Sequence, residues 1–287
     1  MSMEKLWRKR TLCLLLLKNR KNEYLMIGNT KMKIHSTAII SKKAQVETDV
    51  EVGPYSIIGD GVKIGKGVKI GACCVIDNDT TIGSGCKIFT GAVIGSIPQD
   101  LKYKGEKSLV VVGKDNIIRE YVTINLSTEE GNKTVVGDGN LIMAYSHIAH
   151  DCAIGNGCII ANSGTLAGHV TLEDKVVIGG LVAVHQFVRL GKMSIIGGCS
   201  KVVTDIPPFS TCDGHPAKFF GLNIIGLKRA GVSSDAMRQL RHAFKIFFQS
   251  GLNKKNAIEK IKEIISPCAE IEHLINFLTS SNRGICH

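Results

Sequence analysis

His147, His150, His169 and His185 all fall in one stretch of the chain. Imidazole is the side chain best suited to take a proton from a hydroxyl near neutral pH. Asp151 follows His150 directly, where a carboxylate could orient the ring and stabilise its cationic form. Gly168 lies 18 residues after His150, and Gln186 lies 18 after Gly168. His169 and His185 flank that series by one residue on either side, and His147 precedes it by three. A backbone N–H at Gly168, with no side chain in the way, is suited to stabilising an oxyanion. No Ser or Cys stands in a recognisable nucleophile motif. These residues therefore point to base-assisted direct transfer rather than a covalent enzyme intermediate.

The elements that position these residues follow from a six-residue period. Stepping by six from Ile34 to Val202 visits 29 positions, and 26 of them are Ile, Leu or Val; Asp100, Glu106 and Glu130 are the exceptions. Ordinary composition would fill roughly a quarter of such positions with these types. Gly often comes next, as at Gly53, Gly59, Gly65, Gly83, Gly137 and Gly179. Neither a helix nor an ordinary strand sustains that period. A short strand followed by a tight corner does, with the aliphatic inward and the glycine letting the chain bend. Three such hexads make a triangular coil of 18 residues, and coils stack about 4.8 Å apart. The phase survives two polar interruptions, Ser96–Ser108 and Asn125–Thr134, which read as loops thrown out from a corner. On this register His150 sits beneath Gly168 and Gln186, and the four histidines surround one patch of wall.

After Asn223 the period changes. Ala236, Leu240, Ala243, Phe244 and Phe247 follow helical spacing, with Ser233 or Ser234 as N-cap. Further helices are expected near 254–265 and 269–279, separated by Pro267. The expected organisation is a basic N-terminal extension over 1–31, a hexapeptide-repeat β-helix over 32–223, and a C-terminal helical domain over 224–287 that caps the solenoid.

Charge argues against nucleic acid. The net +11 concentrates at the ends: residues 1–31 hold eight Lys/Arg and two Glu (+6), and residues 224–287 hold ten Lys/Arg and five acids (+5). The neutral middle offers no groove that tracks phosphates, whereas the basic tail fits an acidic protein partner. The ten cysteines include no CxxC, so they read as reduced, buried thiols of a cytoplasmic protein. Leu12–Leu17 is far shorter than the about 20 residues a bilayer span needs, so no stable membrane insertion is expected. Its basic flanks resemble a weak targeting segment, without a secretory cleavage site. The preferred expectation is that residues before Met32 are a dispensable or misassigned extension.

Several segments carry a resemblance: GSIPQDLKYKGE (95–106), IREYVTIN (118–125), SHIAHDC (146–152), TLAGHV (165–170), AVHQF (183–187), IGGCS (196–200) and GLNIIGLKR (221–229). Together they resemble the UDP-N-acetylglucosamine O-acyltransferase family, over roughly nine-tenths of the chain from Met32 to Asn282–Arg283–Gly284. QDLKY and SHIAHDC are highly specific in combination; the hexads alone mark only a broad superfamily. The resemblance implies a left-handed parallel β-helix, an all-β solenoid plus α-helices, assembled as a homotrimer with active sites in clefts between subunits. It implies transfer of an (R)-3-hydroxyacyl chain from acyl carrier protein to the glucosamine 3-position of UDP-N-acetylglucosamine, the first step of lipid A biosynthesis. The donor's phosphopantetheine carries the acyl group, and neither a cofactor nor a metal is implied.

By motif position His150 would be the general base, Asp151 its support and Gly168 the oxyanion donor. Gln99, Asp100, Lys102, His147, His169, His185 and Gln186 would contact the sugar nucleotide and acyl pocket. Asn223 and Arg229 would reach the nucleotide. Gly198 falls where the family limits acyl length, and a glycine there leaves the groove open for a longer chain. Ile225 stands where better-known members have a carboxylate, Ala230 where many have a second Arg, and Pro216 where some have His. These departures keep a 3-amino acceptor sugar open as an alternative. A zinc-dependent β-helix carbonic anhydrase, built on three His ligands, is the alternative from another class. A later N-acyltransferase of the same pathway would need a uridine-binding domain ahead of the repeats.

Overall fold

The computed structural model describes the backbone of residues 24–27 and 30–287, and side chains from Lys33 onward. Most of the basic extension, including Leu12–Leu17, lies outside the described residues. Tyr24–Ile27 pair antiparallel with Thr30–His35 and so add a strand to the first wall of the solenoid.

From Thr30 to Val202 the chain winds a left-handed parallel β-helix. Most strands are two residues long, as in Lys63–Ile64, Lys69–Ile70 and Lys87–Ile88, with the first residue outward and the second buried. That alternation is the origin of the sixfold pattern, because each hexad supplies one inward aliphatic and one corner. Within the coils each strand pairs with the strands three elements before and after it, giving three walls; wall B has nine strands, wall C eight, and wall A 12 once the antiparallel strands at its two ends are included. Ile58, Ile64, Ile76, Ile82, Ile94, Ile118, Ile124, Ile142, Ile148 and Ile160 are buried ladder residues. Wall A shows how the loops preserve phase. Its partners Lys69↔Lys87 are 18 residues apart, Lys87↔Ile117 30, Ile117↔Leu141 24, and Leu141↔Ile159 18 again. The two loops therefore add two hexads and one hexad, and both leave from the corner between walls B and C.

The glycines after the aliphatics have a different cause from the one the sequence pattern implied. The corner residues in the left-handed region lie two positions further on, at Gly61, Gly67, Tyr55, Asp49 and Cys73. Gly53 and Gly83 are required by the coil above: a Cβ on Gly53 would lie 2.5 Å from Gly71 O, and one on Gly83 2.4 Å from Gly113 O. Close stacking, not the bend, selects glycine there.

Past Val202 the chain forms a hairpin, Ser210–Gly214 with Ala217–Leu222, that extends wall A. The hexad period gave no sign of it. Four helices follow among the described residues: α1 (Ile224–Arg229), α2 (Ser234–Gln249), α3 (Lys254–Ile264) and α4 (Ala269–Ser280). Ser233 caps α2 by accepting from Ala236 N at 3.1 Å, and Asn253 caps α3 by accepting from Asn256 N at 2.9 Å. Leu240, Phe244, Phe247, Ile261, Leu274 and Phe277 form a second core closed over Phe209. Charged and cation–π contacts join it to the coils. His273 Nε2 lies 2.7 Å from Glu173 Oε2, and the Arg189 guanidinium sits 4.5 Å above the Phe277 ring.

Candidate active site

His150 and Asp151 occupy a corner between walls B and C, on the coil that follows the second loop. The His150 side chain is 13% exposed and that of Asp151 only 3%, so the carboxylate is not a solvated surface acid. His150 Nδ1 and Asp151 Oδ2 are 2.8 Å apart. Burial pushes the Asp151 pKa up, but hydrogen bonds from Ser127, Thr128 and His150 outweigh it, and the net shift is downward. An ionised carboxylate only accepts hydrogen bonds, so Nδ1 carries the ring proton and Nε2 remains as the basic atom.

Gly168 stacks directly over the ring. A Cβ there would lie 2.3 Å from His150 Cε1 and 2.6 Å from Nε2. The 18-residue register is thus realised at the site, and Nε2 lies beside the Gly168 backbone. Among the described residues no backbone carbonyl accepts from the Gly168 N–H, whereas the next residue's N–H bonds His150 O at 3.0 Å. His169, in the left-handed region at φ 61°, turns its ring edge to His150 with centroids 5.2 Å apart. On its other side it stacks on Phe187 at 4.5 Å. His147 projects from wall B, and its Nδ1 lies 2.7 Å from Thr123 Oγ1. Burial, with a smaller contribution from His150, holds its pKa below the usual histidine value, so it is a neutral ring at pH 7.

His185 lies two coils above His150's corner on wall B, with Arg283 Nη2 3.3 Å from its Nδ1; Gln186 beside it is exposed. On the first loop, Asp100 Oδ1 accepts from Lys102 N at 2.9 Å, while Gln99 and Lys102 are exposed. The remaining assignments fall elsewhere. Gly198 belongs to the corner between walls A and B, stacked on Gly180, where a Cβ would meet Gly180 O at 3.3 Å. Asn223 caps α1 through Gly226 N at 3.0 Å and donates to Met193 O at 2.9 Å; Arg229 is exposed in the last turn of that helix. One chain therefore presents the predicted residues on separate corners and on α1 rather than around one pocket.

Sequence reasoning overlooked Ser127, Thr128, Phe187 and Thr123. The second loop adds one hexad, so the residue stacked beneath Asp151 is 24 positions back, at Ser127, not 18 back. Applying that offset to the sequence would have found it.

His150, Asp151 and His169 each present a possible ligand atom, all within 4.8 Å of one another. His147 and His185 are not part of that group, so three imidazoles do not converge among the described residues. Asp151 is also committed to Ser127, Thr128 and His150, a poor starting point for a zinc ligand. The described cysteines are free. Burial pushes Cys152 up to about 12 and Cys158 up to about 11, so both stay protonated and inert. Cys73 and Cys199 depart from the all-buried expectation. Both hold left-handed corner positions whose side chains face solvent. No helix among the described residues is long and apolar enough to cross a membrane.

Comparison with known proteins agrees with this geometry. A family model described as UDP-N-acetylglucosamine O-acyltransferase, domain 2, matches residues 205–286, and one for the bacterial transferase hexapeptide (six repeats) matches 133–168. The acyl-(acyl-carrier-protein)–UDP-N-acetylglucosamine O-acyltransferase of Thermodesulfovibrio yellowstonii is 51% identical over 255 residues, covering 88% of this chain and 99% of that protein. Among solved structures, LpxA from Acinetobacter baumannii superposes with a TM-score of 0.85 at 42% identity, over 88% of this chain and 99% of that one. The UDP-N-acetylglucosamine acyltransferase from Campylobacter jejuni gives 0.83 at 40% identity, over 88% and 99% respectively. With identity of this level over nearly the whole length of its relatives, the chain belongs to the family of acyl-(acyl-carrier-protein)–UDP-N-acetylglucosamine O-acyltransferases.

Proposed function

We propose that this protein transfers an (R)-3-hydroxyacyl group from the phosphopantetheine thioester of acyl carrier protein to the 3-hydroxyl of UDP-N-acetylglucosamine, the step that opens lipid A biosynthesis. The observation that carries the mechanism is the place of His150 Nε2, freed by the Nδ1–Asp151 hydrogen bond and lying beside Gly168. Nε2 takes the proton of the sugar hydroxyl as its oxygen attacks the thioester carbonyl. The Gly168 N–H receives the oxyanion of the tetrahedral intermediate. Collapse expels the phosphopantetheine thiolate, and the imidazolium returns the proton to sulfur. Asp151 stabilises the transient imidazolium. No metal or cofactor takes part in this scheme.

His147, His169, His185, Gln186, Gln99, Asp100 and Lys102 line the substrate side of the same corner. Gly198, Asn223 and Arg229 complete the site from a second copy in a homotrimer. Gly198 on another corner and Asn223 and Arg229 on α1 support this, because a triangular prism brings such separate faces together only by packing against another prism. The open surface at Gly198 favours a longer acyl chain. The acidic carrier protein docks on the basic helical end, where Arg241, His242 and Lys245 line a cavity of about 440 Å³ beside the exposed Phe220. The compartment is the cytoplasm, which suits described cysteines that are all free thiols.

The test is an assay of purified protein with UDP-N-acetylglucosamine and a panel of hydroxyacyl carrier proteins. Product is expected, with His150→Ala lowering the rate by about 10²–10⁴-fold while folding is retained. No product with any donor, a requirement for stoichiometric zinc, or undiminished transfer by His150→Ala would each overturn the proposal.

A further inference from the structure

The carboxylate behind the base is held from outside its own coil. Asp151 Oδ1 accepts from Ser127 Oγ, and Oδ2 accepts from Thr128 Oγ1 at 2.7 Å and Thr128 N at 3.2 Å, in addition to the His150 ring. Three of these donors converge on Oδ2 and one on Oδ1, so neither oxygen is left without a partner. The backbone is fixed as well: Asp151 sits in the left-handed region at φ 60°, and its N–H donates to Thr134 Oγ1 at 2.8 Å. Ser127 is fully buried and Thr128 partly so, hence neither hydroxyl serves merely as a wetted loop group.

The second loop is tied in turn to the first. Ser108 Oγ donates to Ser127 O at 2.6 Å, Leu126 N to Ser96 O at 2.9 Å, and Asn125 Nδ2 to Ser96 Oγ at 2.8 Å. The segment carrying Ser127 and Thr128 is therefore braced by both ends of the first loop, which carries Asp100 and Lys102. A carboxylate with one or two donors could rotate about its Cβ–Cγ bond and lose the Nδ1 hydrogen bond. With both oxygens held, Oδ1 by Ser127 and Oδ2 by Thr128 and the His150 ring, one rotamer is selected, and with it one tautomer and one direction for Nε2.

We propose that Ser127 and Thr128 are positioning residues of the transferase reaction: they lock the Asp151 carboxylate so that His150 presents Nε2 to the acceptor hydroxyl. This rests on His150 acting as the base. Both hydroxyls are engaged by the carboxylate, so their loss is expected to lower turnover while leaving substrate affinity nearly intact.

The test is a double-mutant cycle between Thr128→Val, which keeps shape and removes the hydroxyl, and Asp151→Asn, with Thr128→Ser as the conservative rescue. Thr128→Val is expected to lower kcat about tenfold with KM for UDP-N-acetylglucosamine within about twofold, and Thr128→Ser to stay near wild type. In the Asp151→Asn background the same substitution should change kcat by less than about twofold. Ser127→Ala carries the same expectations and serves if Thr128→Val unfolds in a thermal melt. A readout independent of turnover is the downfield Nδ1 proton resonance, identified by its loss in His150→Ala, which should move upfield in Thr128→Val. If wild type transfers acyl groups and Thr128→Val leaves both kcat and this resonance unchanged, the inference fails. It also fails if the loss in kcat is equally large in the Asp151→Asn background. Absence of transfer by wild type would sink the proposed function instead, and the resonance would still report on the lock.

Discussion

Gly168→Ala is a one-carbon perturbation whose consequence is set by geometry. The backbone at Gly168 is not in the left-handed region, so alanine brings no φ penalty. Its Cβ would meet His150 Cε1 at 2.3 Å, Nε2 at 2.6 Å and Nδ1 at 3.0 Å. Ordinary contact begins near 3.4 Å, so the ring must retreat by about 1.1 Å, and a misplacement of about 1 Å at a reacting group costs on the order of 100-fold. The retreat also stretches the 2.8 Å hydrogen bond to Asp151, adding to the loss. Because the ring lies at a surface corner, it can swing outward with little effect on the buried aliphatic ladder. The expected outcome is a kcat lowered about 100-fold, with a thermal midpoint within a few degrees of wild type. Steady-state transfer from a hydroxyacyl carrier protein measures the first, and a melt followed by circular dichroism the second. A variant that keeps kcat within about twofold would refute the stacking of base and oxyanion donor. A variant that simply unfolds would place Gly168 with Gly53 and Gly83, as a coil-packing glycine.

Two further outcomes follow from other parts of the molecule. At Gly198 a Cβ meets only Gly180 O at 3.3 Å and Gly180 N at 3.9 Å, so Gly198→Met should fold and project into the proposed acyl groove. Competition between donors should then shift toward shorter chains, and an unchanged product ratio would remove Gly198 from the groove. Glu173 joins the coils to α4. Burial alone would raise its pKa, but hydrogen bonds from His273 and the Lys192 N–H, with the charges of His273 and Arg189, hold it below the ordinary 4.5. A carboxylate depressed on folding contributes stability that is complete above its unfolded pKa and is lost as pH falls through its folded value. The urea midpoint of wild type minus that of Glu173→Gln should therefore shrink as pH falls from about 5.5 to below about 4.5. A difference that does not change across that window would show that Glu173 makes no charge-dependent contribution.

The sequence by itself determined the solenoid. One aliphatic per hexad is a local requirement repeated through Val202, and whole-hexad loops cannot hide it. Helix α2 was equally legible, because Ser233 and the spacing from Ala236 to Phe247 are local signals. The placement of His150 beneath Gly168 followed from counting alone, since stacked coils convert sequence distance into contact. Tertiary structure decided what counting at a fixed 18 could not. The hairpin at Ser210–Leu222 and the short α1 have no hexad or helical period long enough to read. Gly53 and Gly83 look like bend residues in sequence, yet only the coil above explains them. Ser127 and Thr128 reach Asp151 because the second loop changes the local offset to 24, and their hydroxyls matter only once the carboxylate is buried. The separation of Gly198 onto another corner, and of Asn223 and Arg229 onto α1, from His150 is likewise a property of three dimensions. A linear pattern fixes which wall a residue occupies, but it does not say which corners come together in a complete site.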